Sequence, residues 1–407
     1  MPSSSAGTMG PKRVVVTGFG VVCSAGLNAD DFFNNLFKAP EPGIKRVQGF
    51  DPLKFFDPKS ARRVDRFAQF AVAAATEALT RAEIDPSEIL PKTLNKDSDQ
   101  MGSLIGTGVG GISTLEEQIL INYEKGSNRV SPFLVPMMMP NAASATISLR
   151  WGLTGPSETI TTACAAGTHS IAQGARWVAS GRCQLVITGG AEASLTPTGL
   201  AAFSNMTALS KTGISRPFDK DRDGFVIAEG SGVLILEDLE SAKSRNAPIY
   251  AEILGAGSTA DAYHITAPSP NGEGARQCML QALTEAQLKP EQIGHINAHG
   301  TSTPLNDKAE ADAIRSIFRQ HCPPVTSIKG VTGHSLGAAG AIEAVSCVLT
   351  IQNQIIPPTV GFKQLGDGID LNIVKDKGMK FSPQPILSNS FGFGGHNACL
   401  VIAPYYD

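Results

Sequence analysis

Residues 157–174, SETITTACAAGTHSIAQG, constrain the fold more than any other stretch of the chain. Glu158–Thr162 is short and rich in β-branched residues, which predicts a strand. From Ala163 the side chains are small, which predicts a helix packed very closely against a neighbouring layer. Cys164 stands at the junction, so a thiol is expected at or near a helix N-terminus. There the unpaired N–H groups are worth about 0.3–1 kcal/mol to an anion, and up to about 2 when partly buried. That is enough to lower a thiol by about one pKa unit from its ordinary value of about 8.5. A nucleophile and a buried cysteine serving as a small hydrophobe are both compatible with this stretch.

The rest of the chain repeats the pattern of apolar strand, glycine turn and helix. Arg13–Gly20, Gly102–Gly106, Leu185–Gly190, Gly232–Glu237 and Ile249–Gly255 read as buried strands. Their alternation with helical segments predicts an α/β layered fold with mainly parallel sheets. Residues 160–178, ITTACAAGTHSIAQGARWV, are echoed by 330–348, GVTGHSLGAAGAIEAVSCV. Each is followed by a strand near glycines, LVITGGAE (185–192) and ACLVIAP (398–404). A duplicated unit explains the echo, with an N-terminal half at 11–255 and a C-terminal half at 256–407. The first ten residues read as a disordered lead.

Composition narrows the function. The net charge is −3, the pI is near 6.2 and no Lys/Arg-rich run occurs, so nucleic acid is not expected as a partner. Seven cysteines without a Cys-x-x-Cys pair point to a reducing compartment and away from a disulfide framework or a thiolate zinc site. The start of the chain lacks the apolar core of a secretory signal, and no apolar run approaches about 18 residues, so a cytoplasmic protein with no membrane segment is expected. Residues 61–81 predict an amphipathic helix with Arg62, Arg63 and Arg66 in its first turns. Cations there oppose the helix dipole, which leaves either a solvated basic face or a docking surface.

Three polar clusters fall in the second half. NAHGTSTP (297–304) sets His299 at the end of a strand; SIKGVTGHSLGAAG (327–340) sets Lys329 and His334 before a helix; NSFGFGGHN (389–397) is a glycine-rich loop. Ligands of α/β folds collect at such strand ends. His295 and His299 form H-x-x-x-H, but four residues of strand span about 13 Å, too far for one shared ion. Gly106–Gly111 contains G-x-G-x-x-G without the second strand and acid of a dinucleotide site. Gly333–Gly337 is a G-x-S-x-G that would make Ser335 the nucleophile of an α/β-hydrolase, with Asp367 or Asp370 and His396 following. That reading leaves Cys164, His299 and Lys329 without roles.

Taken together, TACAAG around Cys164, NAHGTSTP, SIKGVTGHSLGAAG and NSFGFGGHN resemble the elongating β-ketoacyl-acyl-carrier-protein synthases of type II systems, as do RPFDKDRDGFVIAEG (216–230) and DAYHITAPSPNGEG (261–274). The resemblance runs from about Arg13 to Ala403. It implies the thiolase fold, five α-β-α-β-α layers from two duplicated halves, usually in a homodimer. It implies an acyltransferase of fatty acid biosynthesis that performs a decarboxylative Claisen condensation. Substrates ride on the phosphopantetheine of acyl carrier protein, and no cofactor or metal is bound. By the same resemblance Cys164 carries the acyl group, and His299 and His334 face the malonyl thioester. Lys329 with Glu343 orders the site, and the backbone N–H groups of Cys164 and Phe393 form the oxyanion hole. Asp307 and Glu310 give polar support, Thr301 and Thr303 hold the pantetheine arm, and Phe225 lines the malonyl pocket. Phe393 gates the acyl tunnel, whose depth Val109, Met138 and Phe203 set, and Arg62, Arg63 and Arg129 dock the carrier protein. His396 departs from the threonine common in bacterial members. A polyketide or polyene ketosynthase is the alternative from the same fold.

Overall fold

Layering follows from how ten strands are ordered, and a computed structural model describes them within residues 11–406. The strands are β1 (Val14–Cys23), β2 (Met101–Gly106), β3 (Ser157–Glu158), β4 (Leu185–Glu192), β5 (Gly230–Asp238), β6 (Ala251–Ala260), β7 (His295–Asn297) and β8 (Val325–Thr326). A small separate pair, β9 (Ile355–Ile356) and β10 (Met379–Lys380), precedes β11 (Ile386–Gly392) and β12 (His396–Ala403). The large sheet runs β3-β2-β4-β5-β1-β6-β12-β11-β7-β8. Read inward from each edge, the order is the same twice: β3-β2-β4-β5-β1 and β8-β7-β11-β12-β6. The senses repeat as well, two parallel pairings and then two antiparallel ones in each half. The halves join where Val14–Val16 pair antiparallel with Ala251–Ile253.

Helices complete five layers. Helix Arg66–Arg81 covers β1, β4 and β5 on one outer face, and helix Glu273–Glu285 covers β6 and β12 on the other. Helices Ala166–Ala179 and Ala339–Asn353 lie between the two five-stranded halves of the large sheet and touch both. The segment Leu336–Asn353 is apolar and long enough to cross a membrane, but it is this buried central element. Its small side chains are what the layer spacing requires. A Cβ on Gly232 of β5 would lie 2.5 Å from the Ala341 carbonyl carbon, and one on Gly340 would lie 1.9 Å from Thr168 Oγ1.

The α/β layering is as expected, while several local expectations are corrected. The sheets are mixed, not mainly parallel, because a long excursion instead of a crossover helix joins β4 to β5, and a tight hairpin at Phe393–Gly395 joins β11 to β12. The strand expected at Glu158–Thr162 reaches only Glu158 in β3, and a 3-10 turn over Ala163–Ala165 precedes the helix at Ala166. By position in the order, the counterpart of β4 is β11, so LVITGGAE corresponds to 386–392 and not to 398–404. Residue 255 lies inside β6, and we propose that the halves divide before Ala251. The expected helix at 61–81 is broken: helix Pro58–Ala61 ends, and the next starts at Arg66 with Asp65 as its N-cap. Arg62 and Arg63 occupy the exposed turn, whereas Arg66 binds the buried Glu229 carboxylate at 2.7 Å. The lead expected in the first ten residues lies outside the described residues.

Gly232→Ala should destabilise the protein by about 1–3 kcal/mol, since the clash is with helix backbone that cannot step aside. Denaturant midpoints of variant and wild type check this; equal midpoints would mean that β5 and the helix separate freely.

Candidate active site

The two central helices begin side by side, and the chemistry gathers there. Cys164 sits in the 3-10 turn before helix Ala166–Ala179, next to Ala163 with its φ of +50°, an uncommon left-handed value for a residue with a Cβ. His334 and Ser335 precede the corresponding helix of the second half, and His334 Nε2 lies 3.0 Å from Cys164 Sγ. His299, just beyond β7, stacks edge-on to His334 with ring centroids 5.3 Å apart. Lys329 Nζ donates to the His299 carbonyl oxygen at 2.6 Å and to a Glu343 carboxylate oxygen, and lies 3.5 Å from His299 Nδ1. Cys164, His299, His334, Lys329 and Glu343 are all buried.

Buried carboxylates hold the loops that carry these groups. Glu310 accepts from the backbone N–H of His299 and of Gly300, each at 2.8 Å. Asp307 accepts from Phe218 N–H at 2.7 Å and Ser302 N–H at 3.1 Å. One clamp was not singled out in the sequence: Glu192, at the end of β4, accepts from Gly108 N–H at 2.7 Å, Gly337 N–H at 3.1 Å and the Ser194 hydroxyl at 2.7 Å. It joins the turn after β2 to the turn after His334. The only sequence signal was an acid ending an apolar strand, LVITGGAE.

Desolvation sets the protonation states. Burial pushes the Cys164 thiol up to about 12, outweighing the Lys329 charge and the Phe393 N–H that pull it down. The net lowering expected from the helix terminus is therefore overturned by burial. Burial, and then Lys329, hold His299 and His334 well below the ordinary histidine value, so both imidazoles are neutral and each offers one N–H and one lone pair. Burial raises Glu343 to about 7 against the pull of Lys329, Glu310 to about 7 and Asp307 to about 6.

A cavity of about 370 Å³ opens onto these groups and is lined by Cys164, His299, His334, Phe225, Thr301, Thr303 and Phe393 among others. Thr301 and Thr303 share a 3.0 Å hydrogen bond, and the Phe225 ring stands 5.2 Å from His334. Three residues expected to set the depth of the acyl tunnel do not line this cavity, among them Met138, which is half-buried at the end of helix Leu134–Met138. Val109 is 42% exposed because the Gly108–Gly110 turn directs it outward, and Phe203 instead packs on Phe225 at 5.8 Å. Arg62, Arg63 and Arg129 are exposed, with Arg63 stacked 4.2 Å over Phe133. The hydrolase elbow is not assembled: Ser335 is buried while Asp367 is exposed, Asp370 binds Arg315, and His396 belongs to the hairpin beside His169.

The chain matches the β-ketoacyl synthase N-terminal domain over residues 39–242 and the β-ketoacyl synthase C-terminal domain over residues 250–363. The chain belongs to the β-ketoacyl synthase family. It is 43% identical to 3-oxoacyl-[acyl-carrier-protein] synthase 2 of Synechocystis sp., over 97% of this chain and 98% of that protein. Among solved structures, it resembles the ishigamide ketosynthase/chain length factor with a TM-score of 0.91 at 32% identity, covering 97% of this chain and 100% of the other. It also resembles a type II polyketide ketosynthase in complex with its acyl-carrier protein and bound to the hexaketide, with a TM-score of 0.86 at 30% identity and the same coverage. The five layers are thus those of the thiolase fold, and this β-ketoacyl synthase is an acyltransferase.

The raised Glu310 gives a signed expectation. A carboxyl favoured in its neutral form stabilises the fold fully below about pH 4.5, and that contribution is lost as pH rises through about 7. Glu310→Gln does not titrate, so its stability relative to wild type should improve between pH 5.5 and 8 by on the order of 1–3 kcal/mol. Denaturation at the two pH values checks this, and a constant difference would place the Glu310 charge in water.

Proposed function

We propose that the chain is a 3-oxoacyl-[acyl-carrier-protein] synthase that joins an acyl group held on Cys164 to malonyl carrier protein. The observation that carries this reading is a thiol at 3.0 Å from one neutral imidazole, with a second imidazole stacked beside the first. In loading, Cys164 Sγ attacks the acyl thioester, the pantetheine thiolate leaves, and the thiol proton passes to it. In condensation, the malonyl C–CO₂ bond breaks and its electrons form an enolate. The N–H groups of His299 and His334 face the enolate oxygen. The carbanion carbon then attacks the Cys164 thioester, whose oxyanion meets the N–H groups of Cys164 and Phe393, and the sulfur leaves. The product is a 3-oxoacyl chain two carbons longer.

Lys329 acts through its neighbours: it fixes the His299 carbonyl and keeps Nδ1 an acceptor, which leaves the His299 proton on Nε2, toward the cavity. Thr301 and Thr303 suit a pantetheine arm, Phe225 the malonyl pocket, and Phe393 between glycines a gate. Val109 and Phe203 are left as more distant influences on chain length. The acyl carrier protein is the proposed partner, docked through Arg62, Arg63 and Arg129. A homodimer is supported by exposed Ile119, Leu120, Tyr123 and Leu149, the last on helix Ala142–Trp151 beside the sheet edge β3. Seven unpaired cysteines suit the cytoplasm. A polyketide ketosynthase remains the second reading, favoured by the two structural neighbours described.

His334→Ala should separate the half-reactions. The resting thiol keeps its proton beside a weakly basic imidazole, so loading relies on the backbone donors, whereas the enolate loses one of its two donors. Decarboxylation should fall roughly a hundred- to a thousand-fold, or about 2.7–4 kcal/mol, while acylation of Cys164 persists. Quenched-flow acylation beside carbon dioxide release checks this, and equal losses would make His334 the activator of the thiol.

Reversing the charges of Arg62, Arg63 and Arg129 together should raise KM for carrier-protein substrates and spare pantetheine analogues, because rim charges act mainly on encounter. Equal losses on both would move the docking face elsewhere.

A further inference from the structure

The three groups assigned to the reaction also form a donor set of another kind. One ligand atom each from Cys164, His299 and His334 lies within 4.8 Å of the others, and all three residues are buried. A tetrahedral zinc ion has Zn–S bonds of about 2.3 Å and Zn–N bonds of about 2.0–2.1 Å, which put its ligands about 3.5 Å apart. The Sγ–Nε2 separation of 3.0 Å has only to widen slightly, and the outer separations to close by little more than 1 Å. Three protein ligands with a fourth position open to a cavity is the arrangement of an accessible zinc site, not of a sealed structural one. We propose that Cys164, His299 and His334 bind Zn²⁺ as an inhibitory ion that competes with the acyl group for the same sulfur.

The chemistry is balanced by one proton. The Cys164 thiol loses its proton to solvent, the sulfur–zinc bond forms, and both imidazoles ligate in the neutral form they already have. Burial raises Glu192, Glu310 and Glu343 toward the neutral form, so only their ionised fraction favours a cation near the site. Lys329 opposes it. Its ammonium repels the ion, and ligation through His299 Nε2 would turn an Nδ1 proton toward Nζ, 3.5 Å away. Lys329 thus has a second effect beyond positioning His299: it weakens a soft-metal site that the reaction cannot avoid building. An acylated Cys164 has no thiolate to offer, so loading and metal binding exclude each other. The site stands on geometry and is independent of the roles proposed for the two histidines in condensation.

Cobalt(II) is the probe, since a thiolate–cobalt charge-transfer band in the near ultraviolet reports a sulfur ligand directly. The full chain should bind one cobalt ion with such a band, lose it in Cys164→Ser and surrender the ion to zinc. Zinc should block both acylation and iodoacetamide alkylation of Cys164, and EDTA should restore them. Lys329→Met should tighten binding by at least about tenfold; unchanged affinity would remove Lys329 from this account. No band at millimolar cobalt, a band retained in Cys164→Ser, or zinc inhibition with Cys164 still open to alkylation would each overturn the proposal. Acylation measured without metal tests the synthase reading separately, so failure of one leaves the other standing.

Discussion

Everything in the reacting centre depends on one ammonium group held out of water. Lys329 Nζ is bonded to Glu343 and to the His299 carbonyl with the whole side chain 1% exposed. A buried pair of this kind contributes little net stability, because desolvating the two charges costs about as much as their attraction returns. What it supplies is an orientation. Glu343 projects from one central helix, Lys329 from the segment before it and His299 from the end of β7, so the bond ties three elements at a single point. The same charge adds to the burial that keeps both imidazoles neutral, and it pulls down on a thiol that burial drives up.

A thiol near 12 in a nucleophile's position looks contradictory until the direction of charge flow is considered. The resting thiol keeps its proton, because burial outweighs the pull of the Lys329 charge. Donors become effective only where negative charge develops, at a carbonyl oxygen brought in by the substrate. In the proposed reaction the donors are the backbone N–H groups of Cys164 and Phe393, which the helix start and the β11–β12 hairpin place beforehand.

How much of this could be read from the residues alone varied with the range of the cause. Cys164, His299, Lys329 and His334 were legible because each sits where an apolar run stops and a small-residue run begins, a local pattern. Strand direction was not, since whether β5 runs with or against β4 depends on a connection of about forty residues without strong periodicity. The acidity of Cys164 is not legible, because a helix terminus can be seen in sequence, whereas the second half of the protein closing over it cannot. Glu192 escaped notice for a related reason: its partners, Gly108, Ser194 and Gly337, come from widely separated stretches of the chain and only meet in three dimensions.

The place of β1 at the centre of the sheet bears on how the chain is made. Its neighbours are β5 and β6, which begin at residues 230 and 251, while β1 begins at residue 14. A ribosome adding about 5–20 residues per second leaves that apolar strand unpaired for roughly ten to forty seconds. Both of its hydrogen-bonding edges stay open through this interval, in a segment buried along its whole length once folded. The earliest strand thus waits for its partners until more than half of the chain has been made, and before His299 and His334 have been synthesised.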